Sequence, residues 1–338
     1  MNSEVERLAR RFEQFAEEAR GLSSPLYEHV SRQIAQDEPL LRIAGRVRRP
    51  PEPNMLFAAV HYLLMDMPWH PLADFYGSLR ESPRQASEAY ADFREFVFSN
   101  QSSLIPILTT RITQTNEVRR CSYLLPAFSE IYQSAERRPL ALIDVGCSAG
   151  LHLLWDRYAY DYGSVKVGRS DAPVVVRCKL RGAIRPPIPA TFPECAYRLG
   201  IDLNPVDLND PVERRWFEAL VWPDHRDRWV LAASAIEEWL SAPPPMVKGD
   251  AVSVLPYQLR EVPTETTLIV YHCHAMCQAS AKDVEAFGEI LMAFSAVRPV
   301  YWLVCEGAEV ELRTLRDGAI TQKHLAHKDG HGRWLEWL

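Results

Sequence analysis

Apolar residues recur at helical spacing through the first third of the chain: Leu8, Phe12, Phe15, Ala16 and Ala19, then Phe93, Phe96 and Val97, then Leu104, Ile107, Leu108 and Ile112. Steps of three and four place each set on one face of a helix. Proline-rich breaks at Pro50, Pro51 and Pro53, and from Pro68 to Pro71, separate these helices, because proline cannot continue a helical hydrogen-bond ladder. The pattern predicts an all-helical cap or substrate domain over residues 1–138. From Pro139 onward, short β-branched apolar runs alternate with helical stretches. Strands are predicted at 140–145, 197–202, 246–251, 267–272 and 300–305, and helices at 151–158, 213–222, 228–240 and 281–294. Such alternation predicts an α/β domain over residues 139–338, a mostly parallel sheet with helices on both faces. The runs at 165–167 and 174–178, with the proline-rich stretch after them, read as a β-hairpin insertion near 160–195. Asp317-Gly318 and Asp329-Gly330 are turn signals, so the tail reads as an antiparallel meander ending at 334–338.

The densest chemistry lies at 140–150, LALIDVGCSAG, where an apolar strand ends at Asp144 and enters a turn of Gly146, Cys147, Ser148 and Gly150. Small residues there leave no bulk between the backbone and a ligand across the next helix start. A dinucleotide loop has the order G-x-G-x-x-G and aims helix N–H groups at phosphate. Here the order is D-x-G-x-S-x-G, and a carboxylate ahead of the first glycine repels a pyrophosphate but suits an amino group and a sulfonium. The loop resembles the cofactor loop of class I S-adenosylmethionine (SAM) methyltransferases. Asp202-Leu203 after the second core strand, and Asp250-Ala251 after the third, are similar to the next two motifs of that class. The resemblance implies a Rossmann-like methyltransferase sheet in which Asp202 binds the ribose hydroxyls, Asp250 the adenine amino group and the Ala251 N–H the ring. Asp202 lies about fifty residues past Gly150, where dinucleotide-type folds place an acid after about 20, so the insertion must account for the excess. Asp171 is the better-spaced alternative. An aspartate at a strand end also serves as a turn former or helix cap, and that alternative stays open at each position.

Over most of its length the chain resembles the bacterial DUF2332 family, through residues 113–121, the loop at 144–150, residues 202–207 and Val221-Trp222-Pro223. The resemblance implies that helical front end and sheet belong together.

For acceptor chemistry, the fourth strand ends in Tyr271-His272-Cys273-His274, and the two histidines share a face at i and i+2. Either is a candidate general base. Neighbouring strand positions face opposite ways and no second Cys or His pair has zinc-site spacing, so no metal is expected. A helix is predicted from Arg111 to Cys121, placing Asn116 and Arg120 on one face at i,i+4, with Glu117 beside them, as candidate substrate-binding residues. His331, within Gly330-His331-Gly332, is a weaker candidate.

A net charge of −6 and a pI of about 6.0 lack the basic balance of a general nucleic-acid binder, so no general nucleic-acid binding is expected, while a local basic patch stays open. Seven scattered cysteines fit reduced thiols, and the start of the chain lacks a secretory signal, so a cytoplasmic, soluble protein with no membrane partner is expected. The expectation is a SAM-dependent methyltransferase acting on a small-molecule acceptor. The alternatives are a non-catalytic Rossmann-like ligand-binding or regulatory protein, and an NAD-type oxidoreductase, against which the missing G-x-G-x-x-G argues.

Overall fold

The computed structural model describes residues 3–338, and the chain divides into two compact units. One holds the residues up to Thr115 together with Asn209–Ala233; the other holds Asn116–Leu208 and Ser234–Leu338. The division differs from a simple break at Pro139. The helix Cys121–Ser134 groups with the sheet, where Phe128 meets Trp155 and Tyr271 with ring centroids 5.4 and 5.3 Å apart. Residues 209–233 group with the helices because Trp216, Leu220 and Trp222 are buried in the helical core.

The helical unit is built from Ser3–Gly21, Pro25–Ile34, Glu38–Ala44, Glu52–Leu64, Ala89–Ser99, Gln101–Thr110 and Pro211–Ala219. The faces marked by Leu8, Phe12, Phe15, Ala16 and Ala19, and by Phe93, Phe96, Val97, Leu104 and Leu108, are all buried. At the centre Tyr27 stacks on Phe57 at 4.1 Å and Trp222 meets Phe15 at 5.1 Å. Among the polar groups buried within it, Glu52 and His61 have every side-chain oxygen or nitrogen engaged. Both oxygens of Glu52 are taken, by Arg7 at 2.8 Å and by Arg11. His61 has the Ala219 carbonyl on Nδ1 at 3.1 Å and Ser78 Oγ on Nε2 at 2.8 Å, and burial pushes its pKa down to about 4.

The strands of the second unit are β1 (Leu140–Val145), β2 (Ala159–Asp161), β3 (Lys166–Val167), β4 (Val175–Arg177), β5 (Lys179–Arg181), β6 (Cys195–Asp202), β7 (Met246–Lys248), β8 (Thr267–Cys273), β9 (Val300–Cys305), β10 (Glu309–Arg316), β11 (Ala319–Lys328) and β12 (Trp334–Trp337). Nine form one sheet in the order β5-β12-β11-β10-β9-β8-β1-β6-β7. Its core, β9-β8-β1-β6-β7, is all parallel, and β10 to β12 close it as an antiparallel meander. This is a mixed α/β architecture. Within the parallel core the chain starts at β1, runs outward to β6 and β7, then returns to β8 and β9 on the other side. The topological switch therefore falls between β1 and β8, and in open α/β sheets the crevice for a ligand opens outside the carboxyl ends of the strands at such a point. One face of the core carries Ile143, Val145, Val270 and Trp302 against Leu255 and Leu259 of the helix Ala251–Glu261 and Phe287 and Leu291 of the helix Ala281–Phe294. Strand alternation turns Tyr271 to the opposite face, against Phe128.

Three local predictions are corrected. Residues 165–167 and 174–178 do not pair as a hairpin: β3 and β4 flank β2, antiparallel and parallel respectively, in a separate three-stranded sheet, while β5 joins the edge of the large one. The helix after the Asp144 loop is a 3-10 helix, Leu151–Arg157, and the hydroxyls of Tyr158 and Tyr160 donate to the carbonyls of Leu151 and Trp155 at 2.8 and 2.7 Å. Residues 111–117 are not helical: a short 3-10 turn, Val118–Arg120, precedes the helix Cys121–Ser134, with Glu117 capping it by accepting the Arg119 N–H at 3.2 Å. Pro126 lies inside that helix and has no N–H for the Ser122 carbonyl; the Tyr162 hydroxyl donates to it instead, at 2.7 Å.

Candidate functional site at the carboxyl ends of β1, β8 and β9

The turn after β1 holds three residues in the left-handed region, Gly146 at φ 75°, Ser148 at 53° and Gly150 at 73°. A Cβ on Gly146 would lie 2.3 Å from the Ala275 Cβ, so glycine is required there by packing as well as by φ. The turn's donors are turned toward the chain itself: Gly146 N–H to the Ile201 carbonyl at 2.8 Å, Ser148 N–H to Asp202 Oδ2 at 2.8 Å, Gly150 N–H to the Cys147 carbonyl at 2.7 Å, and Leu151 N–H to Asn116 Oδ1 at 2.7 Å. Asp202 also accepts the Asn204 N–H on Oδ1 at 2.8 Å. Asp202 and Asn116 thus hold the shape of the turn, and the bond to Asp202 fixes the one non-glycine residue at positive φ.

Asp144, 1% exposed at the end of β1, pairs in register with Gly200 of β6 and Tyr271 of β8. Its Oδ2 lies 3.7 Å from His152 Nδ1, an electrostatic contact beyond hydrogen-bond length, and among the described residues that oxygen has no hydrogen-bond partner. His152 is fully buried and its Nε2 meets the Glu117 carbonyl at 3.0 Å. Burial opposes a charge on His152, but Asp144 outweighs it and holds the pKa above the ordinary value.

The end of β8 separates the two histidines. His272 donates from Nδ1 to Glu306 Oε1 at 2.7 Å and accepts the Trp302 indole N–H on Nε2 at 3.0 Å, which leaves neither ring nitrogen for a substrate. Its geometry orients Glu306. That carboxylate follows β9 and also accepts the Ala275 and Met276 N–H groups on Oε1, at 3.0 and 3.1 Å, while Oε2 is without a hydrogen-bond partner among the described residues. Burial acts to raise the Glu306 pKa, and the donors led by His272 overcome it, down to about 2. His274, at φ 56°, has Nε2 3.1 Å from Lys328 Nζ. Burial, aided by Arg120 and Lys328, pushes the His274 pKa down to about 3. Lys328 is itself buried, donates to the Gly307 carbonyl at 2.8 Å, lies over the Tyr123 ring, and has its pKa lowered by burial. Arg120 donates to the carbonyls of Cys273 and Gly330 at 3.3 and 3.2 Å. His331 Nδ1 is 3.7 Å from Glu117 Oε2.

The structure therefore gathers Asn116, Glu117, Arg120, Asp144, His274 and His331 around one group of strand ends, although the first three reach it without the predicted helix. Asp250 follows β7, where the Gly249 N–H bonds to the Asp202 carbonyl at 2.9 Å; exposed, it caps the helix Ala251–Glu261 by accepting the Ser253 N–H at 3.1 Å and the Ser253 hydroxyl at 3.0 Å. Leu203 is an exposed apolar side chain beside Asp202. Asp171 pairs with Arg169 on the surface. Among the described residues no group of three or more His, Cys, Asp or Glu side chains is arranged for a metal ion. Sequence reasoning missed His152, Glu306 and Lys328. Glu306 carried the signal used for Asp144 and Asp202, an acid directly after an apolar strand; His152 and Lys328 carried none.

A two-unit α/β chain with a buried polar cluster at its strand ends is the class these observations define. The chain belongs to the family described as uncharacterized protein conserved in bacteria (DUF2332), whose model matches residues 9–337. No curated protein and no solved structure matches it. Among the described residues no helix is long and apolar enough to cross a membrane.

Proposed function

We propose that the protein is a SAM-dependent methyltransferase acting on a small-molecule acceptor. The observation that carries this reading is the buried Asp144 carboxylate, at the topological switch and directly ahead of a turn with three left-handed residues, with one oxygen lacking a hydrogen bond among the described residues. A buried carboxylate oxygen without a donor is costly, and an ammonium or sulfonium ligand removes that cost. The residues to hold the cofactor are Asp144, Gly146, Cys147, Ser148, Gly150, Asp202, Leu203, Asp250 and Ala251. When bound, the cofactor supplies an electrophilic methyl group. The chain's part is to bind, orient and exclude water. With a pKa of about 3, His274 is neutral but a weak base at neutral pH, and His272 has no free nitrogen. These groups suit an acceptor that attacks as a neutral nitrogen or sulfur nucleophile, which needs no strong base, over a hydroxyl that must lose its proton.

A second reading, a ligand-binding or regulatory protein without turnover, is favoured by the turn's N–H groups, which bond to the chain itself. Calorimetric titration with S-adenosylhomocysteine, with NADH and ATP as controls, tests the first. Micromolar binding of S-adenosylhomocysteine alone, weakened about tenfold or more by Asp144→Asn, is expected. Silence, or preference for NADH, overturns it. Binding without methyl transfer to any of a panel of amines and thiols favours the second reading.

A further inference from the structure

Within the second unit, β2, β4, β5 and the segment before β12 surround a concavity of about 480 Å³. Its charged lining is Arg177, Lys179, Arg185 and Arg333 against a single carboxylate, Asp161, in a chain whose net charge is −6. The backbone explains the concentration. β4 belongs to the small sheet and β5 to the edge of the large one, and the chain crosses between them at Cys178, whose N–H bonds to the Asp161 carbonyl at 3.0 Å. Cys178 points inward and is buried, so Arg177 and Lys179, at i and i+2, both emerge exposed on the other side. Lys179 is held beside Arg333 by its own N–H, which donates to the Arg333 carbonyl at 2.9 Å.

The local carboxylates do not balance these charges. Asp161 accepts the Gly163 N–H at 2.9 Å, pairs with Lys166 at 3.4 Å and stands in register with Arg177 across β2 and β4, which keeps it ionised and divides one carboxylate between a cation outside the lining and one within it. Arg333 pairs with Asp329 at 2.8 Å. Among the described residues Arg177, Lys179 and Arg185 form no ion pair; Arg185 reaches only Ser164 Oγ, at 3.4 Å. Cations outnumber carboxylates around the hollow, so they repel each other and focus a positive potential into it. The Cys178 thiol, pushed up to about 11 by burial, stays neutral and adds no opposing charge.

We propose that this cleft binds a small phosphorylated molecule through its phosphate or diphosphate group. Arginine and lysine donors match phosphate oxygens, the hollow is within the size range of small-ligand sites, and Leu180 and the Tyr162 ring offer an apolar wall for the organic part. A polyanionic nucleic acid would meet repulsion from the acidic remainder of the surface. The site takes an anion and the strand-end cluster a cation, so neither reading depends on the other.

The test is calorimetric titration of the full chain with glycerol 3-phosphate, inorganic pyrophosphate and inorganic phosphate, at low and at raised ionic strength. Saturable binding of the ester and of pyrophosphate is expected, weakening as salt rises and weakening about tenfold or more in Arg177→Ala/Lys179→Ala. Both positions are exposed, so the double variant should unfold as the wild type does. Arg177→Lys/Lys179→Arg should keep most of the affinity, and Arg42→Ala in the helical unit all of it. No saturable binding at low salt, or binding unchanged in the double variant, overturns the site. Inorganic phosphate binding as tightly as the ester overturns its assignment to an organic phosphate.

Discussion

Each unit buries a carboxylate with both oxygens engaged by the chain, Glu52 in the helices and Asp202 in the sheet, and two others at the strand ends are treated differently. Glu52, 5% exposed in the helical core, has each oxygen engaged by an arginine, and His61 nearby has a partner on both ring nitrogens. Asp144 and Glu306, at the ends of β1 and β9, each leave one oxygen without a hydrogen bond among the described residues. A buried charge with every lone pair directed at the chain is a packing device, whereas one left open is a cost that folding alone does not repay. The contrast is what the proposed ligand reading of the strand ends rests on.

Removing Glu306 should have the largest effect on stability. Glu306→Ala strips the acceptor from His272 Nδ1 and from the Ala275 and Met276 N–H groups, and the loss is expected at about 3 kcal/mol or more in urea unfolding. Glu306→Gln keeps an acceptor in that place and should recover most of it. Glu52→Ala should cost less, about 1–3 kcal/mol, because Arg7 and Arg11 are nearly half exposed and can turn to water. If Glu52→Ala proved the more damaging, the strand-end carboxylates would carry less of the fold than their donors indicate.

Acid should expose both units with the same sign. Glu306, depressed to about 2 from 4.5, contributes stability that is full above pH 4.5 and lost as pH falls toward 2. His274 is held neutral in the fold; below pH 6.5 the unfolded chain takes a proton that the folded chain refuses until about pH 3, so stability declines across that window. His61 does the same between 6.5 and about 4. Arg120, Lys328 and His331 face His274 and oppose its protonation, while Glu306 favours it. Melting temperatures from pH 7 to 3 should therefore fall less steeply in His274→Gln and in His61→Gln than in the wild type. An unchanged slope in His274→Gln would show that its burial does not set its charge.

Much of this was legible in the residues, for identifiable reasons. The parallel strands were, because β1, β8 and β9 are continuous apolar runs, as strands covered on both faces must be. The place of Asp144 was too, since an acid between such a run and a glycine turn marks where the strand ends. Residues 111–117 were misread because Ile112 continues a helical spacing, while Glu117 caps a turn two residues on and Asn116 is held by the Leu151 N–H, a partner 35 residues away. The hairpin was misread because β2, a mere three residues beside two further tyrosines, has no alternation long enough to register. His152 and Lys328 are single residues whose meaning comes from what the sheet brings beside them.

The smallest stability effect, and the sharpest test of the contrast, belongs to Asp144→Asn. The change removes a carboxylate whose Oδ2 lacks a hydrogen bond among the described residues and stands 3.7 Å from His152, so unfolding free energy should move by less than about 1 kcal/mol in either direction. Two other readouts should move. The His152 pKa, raised by Asp144, should fall in an NMR titration of the imidazole. The affinity for S-adenosylhomocysteine should drop with it. A buried carboxylate whose removal leaves stability intact but alters a neighbour's charge and a ligand's affinity is held in place for that ligand. Were Asp144→Asn instead to cost as much as Glu52→Ala, with ligand affinity unmoved, Asp144 would be a packing charge like Glu52 and the two units would differ only in fold.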